Sequence, residues 1–511
     1  MSQQLSHPLS AQLSLDQAYA FEKFKRGENL FITGPGGTGK THLIEKFVDH
    51  AKSHSLNIQV CAMTGCASVL LKCGARTLHS WAGIKLAKGP INQIIRDILR
   101  SKQLCANWRA VKVLIVVEVS MMSRKIFELI EELARAVRKN PAAFGGIQTI
   151  FTGDFFQLPP VGTPGDPTTE MFCFESPRWA AIFPPSQCIE LKTIFRQTDP
   201  LYKEILLQVR TASLTPKNTE ILKSHVGREF DPAKYNGCYP TKLFPTRAKT
   251  DFLNKTMFEK LAGQEYTFTV IRKTDCKTFL ESCKVITPQE LAICDGLSTQ
   301  DIEHELQQLK TTASYEDVLT LKVGAVVMCS VNLDMDRGIC NGAQGTIVDM
   351  TKIKDKVTAS TMTVPVVRFA NGTVMSIPYH YRQSEDFPTI AVAQIPLCLA
   401  WALTIHKIQG ATLTMAEIDV GMQIFECGQT YVALSRVQSL DGLYLKAFNP
   451  QRIRVNESAR IFYQSIPAID YEKALSELSL HQQKVVEPNF EKFRYVEPEQ
   501  TSPSTVKVIK L

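Results

Sequence analysis

The chain has 511 residues, with 58 Lys and Arg against 50 Asp and Glu for a formal net charge of +8, and 44% of its residues are hydrophobic. Such a length holds roughly two to four domains of about 100–200 residues each, and charged residues at 21% exclude wholesale disorder and collagen-like or coiled-coil repetition. The small basic surplus is compatible with an acidic partner such as nucleic acid and does not by itself select one.

The 14 cysteines run from Cys61 to Cys427 with no C-x-x-C pair and no Cys/His cluster at zinc spacing, the pattern of reduced, mostly buried thiols. Residues 1–12 (MSQQLSHPLSAQ) carry no Lys, no Arg and no continuous apolar run. No secretory or mitochondrial leader is visible there, and an intracellular protein is expected.

A strand-like run at 29–33 enters the glycine-rich GPGGTGKT, and an amphipathic helix follows with Leu43, Ile44, Phe47, Val48 and Ala51 on one face. Apolar strands are expected at 58–63, 111–117 and 147–152, separated by helical stretches such as 126–139. Alternation of this kind predicts an α/β fold whose parallel sheet is covered by helices. The mixed, basic segment 83–109 is too short for its own domain and reads as an excursion from the sheet. A second α/β region begins after Pro200, with strands expected near 241–245, 397–404 and 442–448. Inside it, 281–315 is polar and helix-prone, and 324–396 is rich in short β runs with turn signals at Asn341 and Ala370, a small β insertion. The uncharged stretch 387–405 approaches bilayer length, but Gln394, Pro396 and Thr404 interrupt it. Two buried strands broken at Pro396 are expected instead of a membrane span. From about Leu480 helical periodicity is lost and a flexible tail is expected.

Gly34-Pro35-Gly36-Gly37-Thr38-Gly39-Lys40-Thr41 fits G-x-x-x-x-G-K-[ST] between a strand and a helix. Glycines let successive backbone N–H groups curl around phosphates, and the helix N-terminus adds its field. Lys40 is expected to reach the β- and γ-phosphates and Thr41 to hold Mg²⁺. In such sites a strand normally ends in an Asp for the metal shell followed by a Glu that orients the attacking water. Here Glu118 stands in the second place, as a catalytic and metal-shell carboxylate or else as a solvent-facing strand cap. Val117 occupies the first, and valine cannot ligate a hard cation.

After the next strand, Gly153-Asp154-Phe155-Phe156-Gln157-Leu158-Pro159 leaves Asp154 and Gln157 at a strand end, where α/β ligand sites form. Gln157 could sense a γ-phosphate, or the loop could be merely stiffened by proline. Arg196 and Arg436 could each supply a cation for transition-state charge, or serve in surface ion pairs. Thr77-Leu78-His79-Ser80-Trp81 and Thr404-Ile405-His406-Lys407-Ile408-Gln409-Gly410 bring hydroxyl, imidazole, cationic and aromatic groups to strand or helix ends. Such groups suit sugar–phosphate contacts and base stacking, and each block alone could equally be a core or cap cluster.

In this order, from Leu13 to about Asn449, the blocks LSLDQ around Gln17, GPGGTGKT, TGCAS at Thr64, TLHSWAG, VEVSMM, GDFFQLPPV, FRQ, AWALTIHKIQGATL and GQTYVALSRV resemble the superfamily-I DNA helicases of the petite-integration-frequency (Pif) type. The stretch 131–148 is similar to that family's signature, with Glu131 and Glu132 at helical spacing from Arg135 and Arg138. The resemblance implies two RecA-like P-loop NTPase domains, at 13–200 and 201–470, behind a short extension at 1–12. It also implies a small wedge at 83–109, a polar helical insertion at 281–315, an SH3-like β insertion at 324–396, and a C-terminal helix and tail at 471–511. It implies a monomeric motor that hydrolyses ATP with Mg²⁺ and moves 5′ to 3′ on single-stranded DNA, unwinding forked or tailed duplexes in replication, recombination or repair, with no membrane partner. Gln17 would read adenine. The loop Gly34, Pro35, Gly36, Gly37, Thr38, Gly39, Lys40 and Thr41 would hold phosphates and metal, and Glu118 the water. Gln157, Gln409 and Gly410 would report the nucleotide state, and Arg196 and Arg436 would reach the γ-phosphate. Thr64, His79, Ser80, Thr404 and His406 would touch DNA. With no presequence visible, the expected location is the nucleus in a eukaryote, and otherwise the cytoplasm or a viral replication site. Ile408 departs from the family's small serine and is expected to be tolerated. Val117 departs more seriously, which leaves a second reading: an ATP- and DNA-binding protein with impaired hydrolysis.

Overall fold

The computed structural model describes residues 13–485 except 65–66, 69–70, 72, 74, 86, 88, 233–238, 281–284, 314, 335–336, 340, 356, 359 and 385–386. It divides at Ala468 into one large compact unit and a short second one beginning at Ile469.

The large unit opens with helix α1 (Leu15–Lys25), strand β1 (Leu30–Thr33) and helix α2 (Lys40–Ser53), whose buried face is Leu43, Ile44, Phe47, Val48 and Ala51 as the periodicity required. There follow β2 (Ile58–Ala62), β3 (Arg76–Thr77), α3 (Leu78–Ala82), α4 (Ile91–Leu99), α5 (Lys102–Ala110), β4 (Val113–Val117), α6 (Arg124–Arg138), β5 (Gln148–Thr152) and β6 (Cys188–Glu190). The six strands form one all-parallel sheet in the order β3-β2-β4-β5-β1-β6. β1 and β4 are buried at every position, because helices on both faces exclude water from both sets of side chains. The excursion at 83–109 becomes α4 and α5. Their Ile95, Ile98, Cys105 and Trp108 join the same core as Phe127, Ile130 and Phe151, and the Trp108 ring lies 4.4 Å from that of Trp81. On α6, Glu131 pairs with Arg135 as expected, but its other oxygen and Glu132 are taken by Arg178. Arg138 is not in that network and donates instead to the carbonyls of Gly145 and Trp108.

Past α7 (Pro200–Arg210) and α8 (Pro216–Ser224), strand β7 (Thr241–Phe244) and helix α9 (Arg247–Lys260) start the second α/β region. Next come β8 (Tyr266–Thr269), β9 (Ile271–Lys273), α10 (Pro288–Asp295) and α11 (Thr299–Thr312), the last two each opened by a capping box, Thr287 with Glu290 and Ser298 with Asp301. The β-rich stretch holds β10 (Val318–Leu321), β11 (Val326–Cys329), β12 (Gln344–Lys354), β13 (Thr361–Phe369), β14 (Val374–Ser376), β15 (His380–Gln383), β16 (Ala391–Gln394) and β17 (Leu397–Leu399). Five of these strands make an antiparallel sheet, β14-β13-β12-β11-β17. The pairing reaches beyond 324–396, since β10 pairs with β8 and β16 pairs with β9. Finally β18 (Ala402–Thr404), β19 (Ala416–Val420) and β20 (Leu443–Phe448) join β7 in a parallel sheet, β18-β7-β19-β20.

The uncharged stretch 387–405 therefore holds three strands, not two. β16, β17 and β18 lie in three different sheets, with the first break at Ile395 and Pro396. No described helix is long and apolar enough to cross a membrane. After helix α12 (Gln429–Leu434), the chain returns to the first sheet as α13 (Glu457–Gln464), where the Phe462 ring stacks on Phe174 at 4.4 Å and meets Phe31 and Phe155 at its edge. In the second unit α14 runs over Tyr471–Val485, five residues past Leu480, where periodicity was expected to end. The expected tail beyond it lies outside the described residues.

Candidate functional site

The first sheet changes strand order at β4-β5-β1, and loops beyond the C-terminal ends of such neighbouring strands form a crevice. β1 delivers the loop 34–39, β4 delivers Glu118, and β5 delivers Gly153–Gln157. Gly34 adopts φ +136°, and a Cβ there would lie 2.3 Å from the Leu191 carbonyl oxygen. Glycine is thus required by both conformation and space. At Gly37, with φ +87°, a Cβ would lie 2.6 Å from the Arg196 Cβ, so the loop is pressed against the segment that carries Arg196.

The two distant arginines meet over this loop. Arg436 Nη2 and Arg196 Nη1 lie 3.5 and 3.6 Å from where a Gly36 Cβ would stand, and the Tyr431 hydroxyl accepts the Gly36 N–H at 2.8 Å. Arg196 donates to the Ser435 carbonyl at 3.1 Å. Arg436, 2% exposed, donates from Nε to the Val432 carbonyl at 2.9 Å and from Nη2 to Ser435 Oγ at 2.9 Å. Burial and then the neighbouring Arg436 draw the Arg196 guanidinium down to about 9. These cations are desolvated and repel one another, an arrangement that favours an incoming anion.

Lys40, at the start of α2, donates to the Gly34 and Pro35 carbonyls at 2.6 and 2.9 Å. Burial lowers its ammonium to about 8, with Asp154 and then Glu118 opposing the shift. Phosphate contact favours the charged form, so affinity for ATP is expected to fall by about tenfold per pH unit once pH exceeds about 8. Titration with a fluorescent ATP analogue between pH 7 and pH 10 reads this directly. A flat profile would exclude contact between Lys40 and the phosphates. Thr41 follows Lys40 in the first turn of α2 and is exposed.

Glu118 takes a left-handed conformation, φ +57°, immediately after β4, a local strain of the kind held at functional sites. It is not a solvent-facing cap, because Gln409 Nε2 donates to its Oε2 at 3.1 Å. Gln409 is 5% exposed, and its Oε1 is buried without a partner. Gly410 follows with φ +87°. Gln157, 5% exposed, stands in the loop after β5, where its carbonyl meets Gly428. Asp154 does not stand open to a ligand. It is fully buried, forked by Arg210 from Nε to Oδ2 and from Nη2 to Oδ1, each at 3.0 Å, and accepts from the Tyr463 hydroxyl at 3.1 Å. The Arg210 charge holds its carboxyl below the usual range against the cost of burial.

Gln17 donates to the Thr38 carbonyl at 3.1 Å and accepts from the Ser14 N–H, which fixes α1 to the phosphate loop. Phe195, which sequence reasoning did not single out, donates its N–H to the Gly37 carbonyl at 2.8 Å. Its ring lies 3.5 Å from where a Gly39 Cβ would stand and is 52% exposed. The signal available in the sequence was its place directly before Arg196.

Of the residues expected at the metal, Thr41 and Glu118 are the oxygen donors present. Val117 supplies methyl groups and Asp154 is held by Arg210, and among the described residues no group of three or more His, Cys, Asp or Glu could hold a metal. Mg²⁺ commonly binds through one or two protein oxygens, with phosphates and waters completing its shell. Thr41 and Glu118 therefore fit Mg²⁺ as an ion carried by a nucleotide.

The remaining predicted residues stand at other strand ends. Thr64 follows β2, and its hydroxyl accepts the Ala67 N–H. On α3, His79 is half-buried, and Ser80 donates to Gln308 of α11 at 2.7 Å. Thr404 ends β18 and accepts the Lys407 N–H, and the His406 ring stacks beside the exposed ring of Phe425 at 6.3 Å. Among the described residues no hydrogen bond joins Thr64, His79 or Ser80 to Thr404 or His406. The structure thus gathers Gln17, Gly34–Thr41, Glu118, Arg196, Gln409 with Gly410, and Arg436 at one crevice, puts Gln157 in the loop after β5, and leaves Thr64, His79, Ser80, Thr404 and His406 at other strand ends.

The PIF1-like helicase profile matches residues 12–208, and that of the Pif1 helicase 2B domain matches residues 306–350. The chain is 33% identical over 469 residues to the ATP-dependent DNA helicase PIF1 of Danio rerio, covering 90% of this chain and 65% of that protein, so it spans slightly under two thirds of that relative. It is 32% identical over 460 residues to the ATP-dependent DNA helicase Pif1 of Bdellovibrio bacteriovorus, covering 90% and 93%. The crystal structure of the Pif1 helicase from Candida albicans matches with a TM-score of 0.67 at 28% identity over 89% of this chain and all of that one. Bacteroides Pif1 in complex with ADP-AlF3 and ssDNA matches with a TM-score of 0.58 at 26% identity, covering 89% and 97%. The six-stranded parallel sheet with its phosphate loop, the arginines that converge on that loop, and these likenesses together establish that the chain belongs to the Pif1-like helicase family.

Proposed function

We propose that this chain is an ATP-dependent DNA helicase that moves 5′ to 3′ along single-stranded DNA and unwinds forked or tailed duplexes in replication, recombination or repair. The carrying observation is the meeting over Gly36 of Arg196 and Arg436, which are far apart in sequence, beside Lys40 and the Glu118–Gln409 pair. In this reading residues 13–200 and 201–470 are the two RecA-like domains. The helices at 83–109 are the wedge, and the sheet within 324–396 is the SH3-like insertion.

The loop amides and Lys40 bind the ATP phosphates, Gln17 reads the adenine edge, and the exposed Phe195 ring offers its face. Glu118 orients the attacking water and accepts its proton. Gln409, hydrogen-bonded to that carboxylate, ties its position to the Thr404–Gly410 loop, and Gln157 reports the γ-phosphate from the loop after β5. Arg196 and Arg436 stabilise charge on the phosphoryl oxygens. Mg²⁺, held by Thr41 and Glu118, would neutralise phosphate charge when bound. Thr64, His79 and Ser80 on the first sheet and Thr404 and His406 on the second hold successive points of one strand, so closing and reopening the crevice shifts one set of contacts past the other. The chain works as a monomer, in the nucleus of a eukaryote or otherwise in the cytoplasm or a viral replication site.

Steady-state ATP hydrolysis with and without single-stranded DNA, together with unwinding of duplexes bearing a 5′ or a 3′ tail, tests this reading. Stimulation by DNA and unwinding of the 5′-tailed substrate alone are expected. ATPase activity indifferent to DNA would refute it. Val117 favours a second reading, in which the chain binds ATP and single-stranded DNA but hydrolyses ATP poorly and acts as a clamp.

A further inference from the structure

Arg210 ends α7, beyond the first sheet, yet its guanidinium is enclosed at the foot of the phosphate loop. It grips both Asp154 oxygens at 3.0 Å and reaches Glu190 Oε1 at 3.4 Å. Its guanidinium carbon lies 4.8 Å from the Phe156 centroid and 5.1 Å from that of Tyr463, two rings that stack on one another. The Tyr463 hydroxyl has every hydrogen-bonding position filled: it donates to Asp154 Oδ1 at 3.1 Å and accepts from the Phe155 N–H at 3.0 Å and from Thr33 Oγ1 at 2.5 Å. Thr33 is the residue before Gly34, so the cluster is built into the base of the phosphate loop. Lys40 rests on the carbonyls of Gly34, the residue after Thr33, and of Pro35, and makes no ion pair among the described residues.

We propose that Arg210 is a positioning residue for the nucleotide site: by occupying both oxygens of Asp154 it withholds that carboxylate from Lys40 and leaves the ammonium to a phosphate. The inference rests on the ATP-binding reading given above. Two cations compete for one buried carboxylate. Arg210 meets it with a planar fork matched to both oxygens, whereas a lysine offers a point charge. Lys40 holds the carbonyl of Gly34, and the preceding Thr33 shares the Tyr463 hydroxyl with Asp154, so this carboxylate lies on the same side of the loop base as Lys40. Without Arg210, a bare negative charge would face both the lysine and the incoming phosphates.

The test is equilibrium binding of mant-ATP with Mg²⁺ to the full chain, with thermal unfolding measured in parallel. Arg210→Gln is expected to weaken binding by about tenfold or more, Asp154→Asn/Arg210→Gln to restore it to within about threefold, and Arg210→Lys, which leaves one Asp154 oxygen to Lys40, to fall between the unaltered chain and Arg210→Gln. Restoration by removing the carboxylate as well is what a purely structural strut would not produce. Binding by folded Arg210→Gln equal to that of the unaltered chain, or a double variant as weak as the single, would overturn the inference. Should Arg210→Gln fail to fold, Arg210→Lys decides: binding weakened by about threefold or more in that folded variant is expected, and binding equal to that of the unaltered chain overturns the inference. Absence of mant-ATP binding by the unaltered chain would overturn the ATP-binding reading and this inference with it.

Discussion

Val117→Asp is expected to raise ATP hydrolysis in the presence of Mg²⁺ and single-stranded DNA by roughly tenfold or more, and to lower the Mg²⁺ concentration needed for half-maximal rate. Val117 ends β4 with Glu118 next in sequence, and it is 6% exposed. Its partner in the neighbouring strand is Thr152, whose hydroxyl is buried with no hydrogen-bond partner, as is that of Ser120. Register partners in adjacent strands project to the same side of a sheet. A carboxylate at 117 would therefore gain an existing donor, which offsets part of its burial cost, and would add a metal oxygen that valine lacks. Equal rates in the two proteins would mean that Thr41 and Glu118 already suffice for the metal. A rise confined to Val117→Asp, with DNA binding retained in both, would make the unaltered chain a nucleotide-dependent clamp.

Arg436→Ala should depress kcat by about a thousandfold, with a much smaller change in affinity for single-stranded DNA, because a cation aimed at transferring phosphoryl oxygens is worth 10³–10⁵ in rate. Its guanidinium reaches the loop at Gly36 from a helix end, held by Val432 and Ser435. Burial pulls its pKa down, while the Glu118 carboxylate opposes this most strongly. Single-turnover hydrolysis separates the chemical step from nucleotide affinity. An unchanged chemical rate in a folded variant would reduce Arg436 to a structural role and leave Arg196 as the arginine that acts beside Lys40.

Local pattern carried much of this molecule into view. The five apolar positions predicted for one face of α2 are the five it buries. The apolar runs that became β1, β4 and β5 read as strands because a sheet covered on both sides needs no polar alternation. The phosphate loop is legible because glycine, lysine and threonine at fixed offsets have few other uses between a strand and a helix. What escaped reading depends on partners distant in sequence. Nothing near Asp154 announces that Arg210 will claim it, and nothing in 266–273 shows that those residues pair with strands more than forty residues later. Phe195 was invisible for another reason: an exposed ring has no periodicity, and only the neighbouring Gly37 and Gly39 give it meaning.

The return of the chain through α13 changes the mechanics of the whole. Phe462 is embedded among Phe31, Phe155, Phe174 and Trp179, and Tyr463 is bonded to the strand that feeds the phosphate loop. The two α/β sheets are consequently joined by two chain crossings, one leaving near residue 200 and one coming back before residue 457. A single tether lets a body swivel like a ball joint, whereas two restrict it to bending about the line through both, as a door turns on a pair of pins. In the proposed two-domain reading, motion in the crevice would be confined to opening and closing, and a fragment ended before α13 would lose part of the first core as well as the second pin.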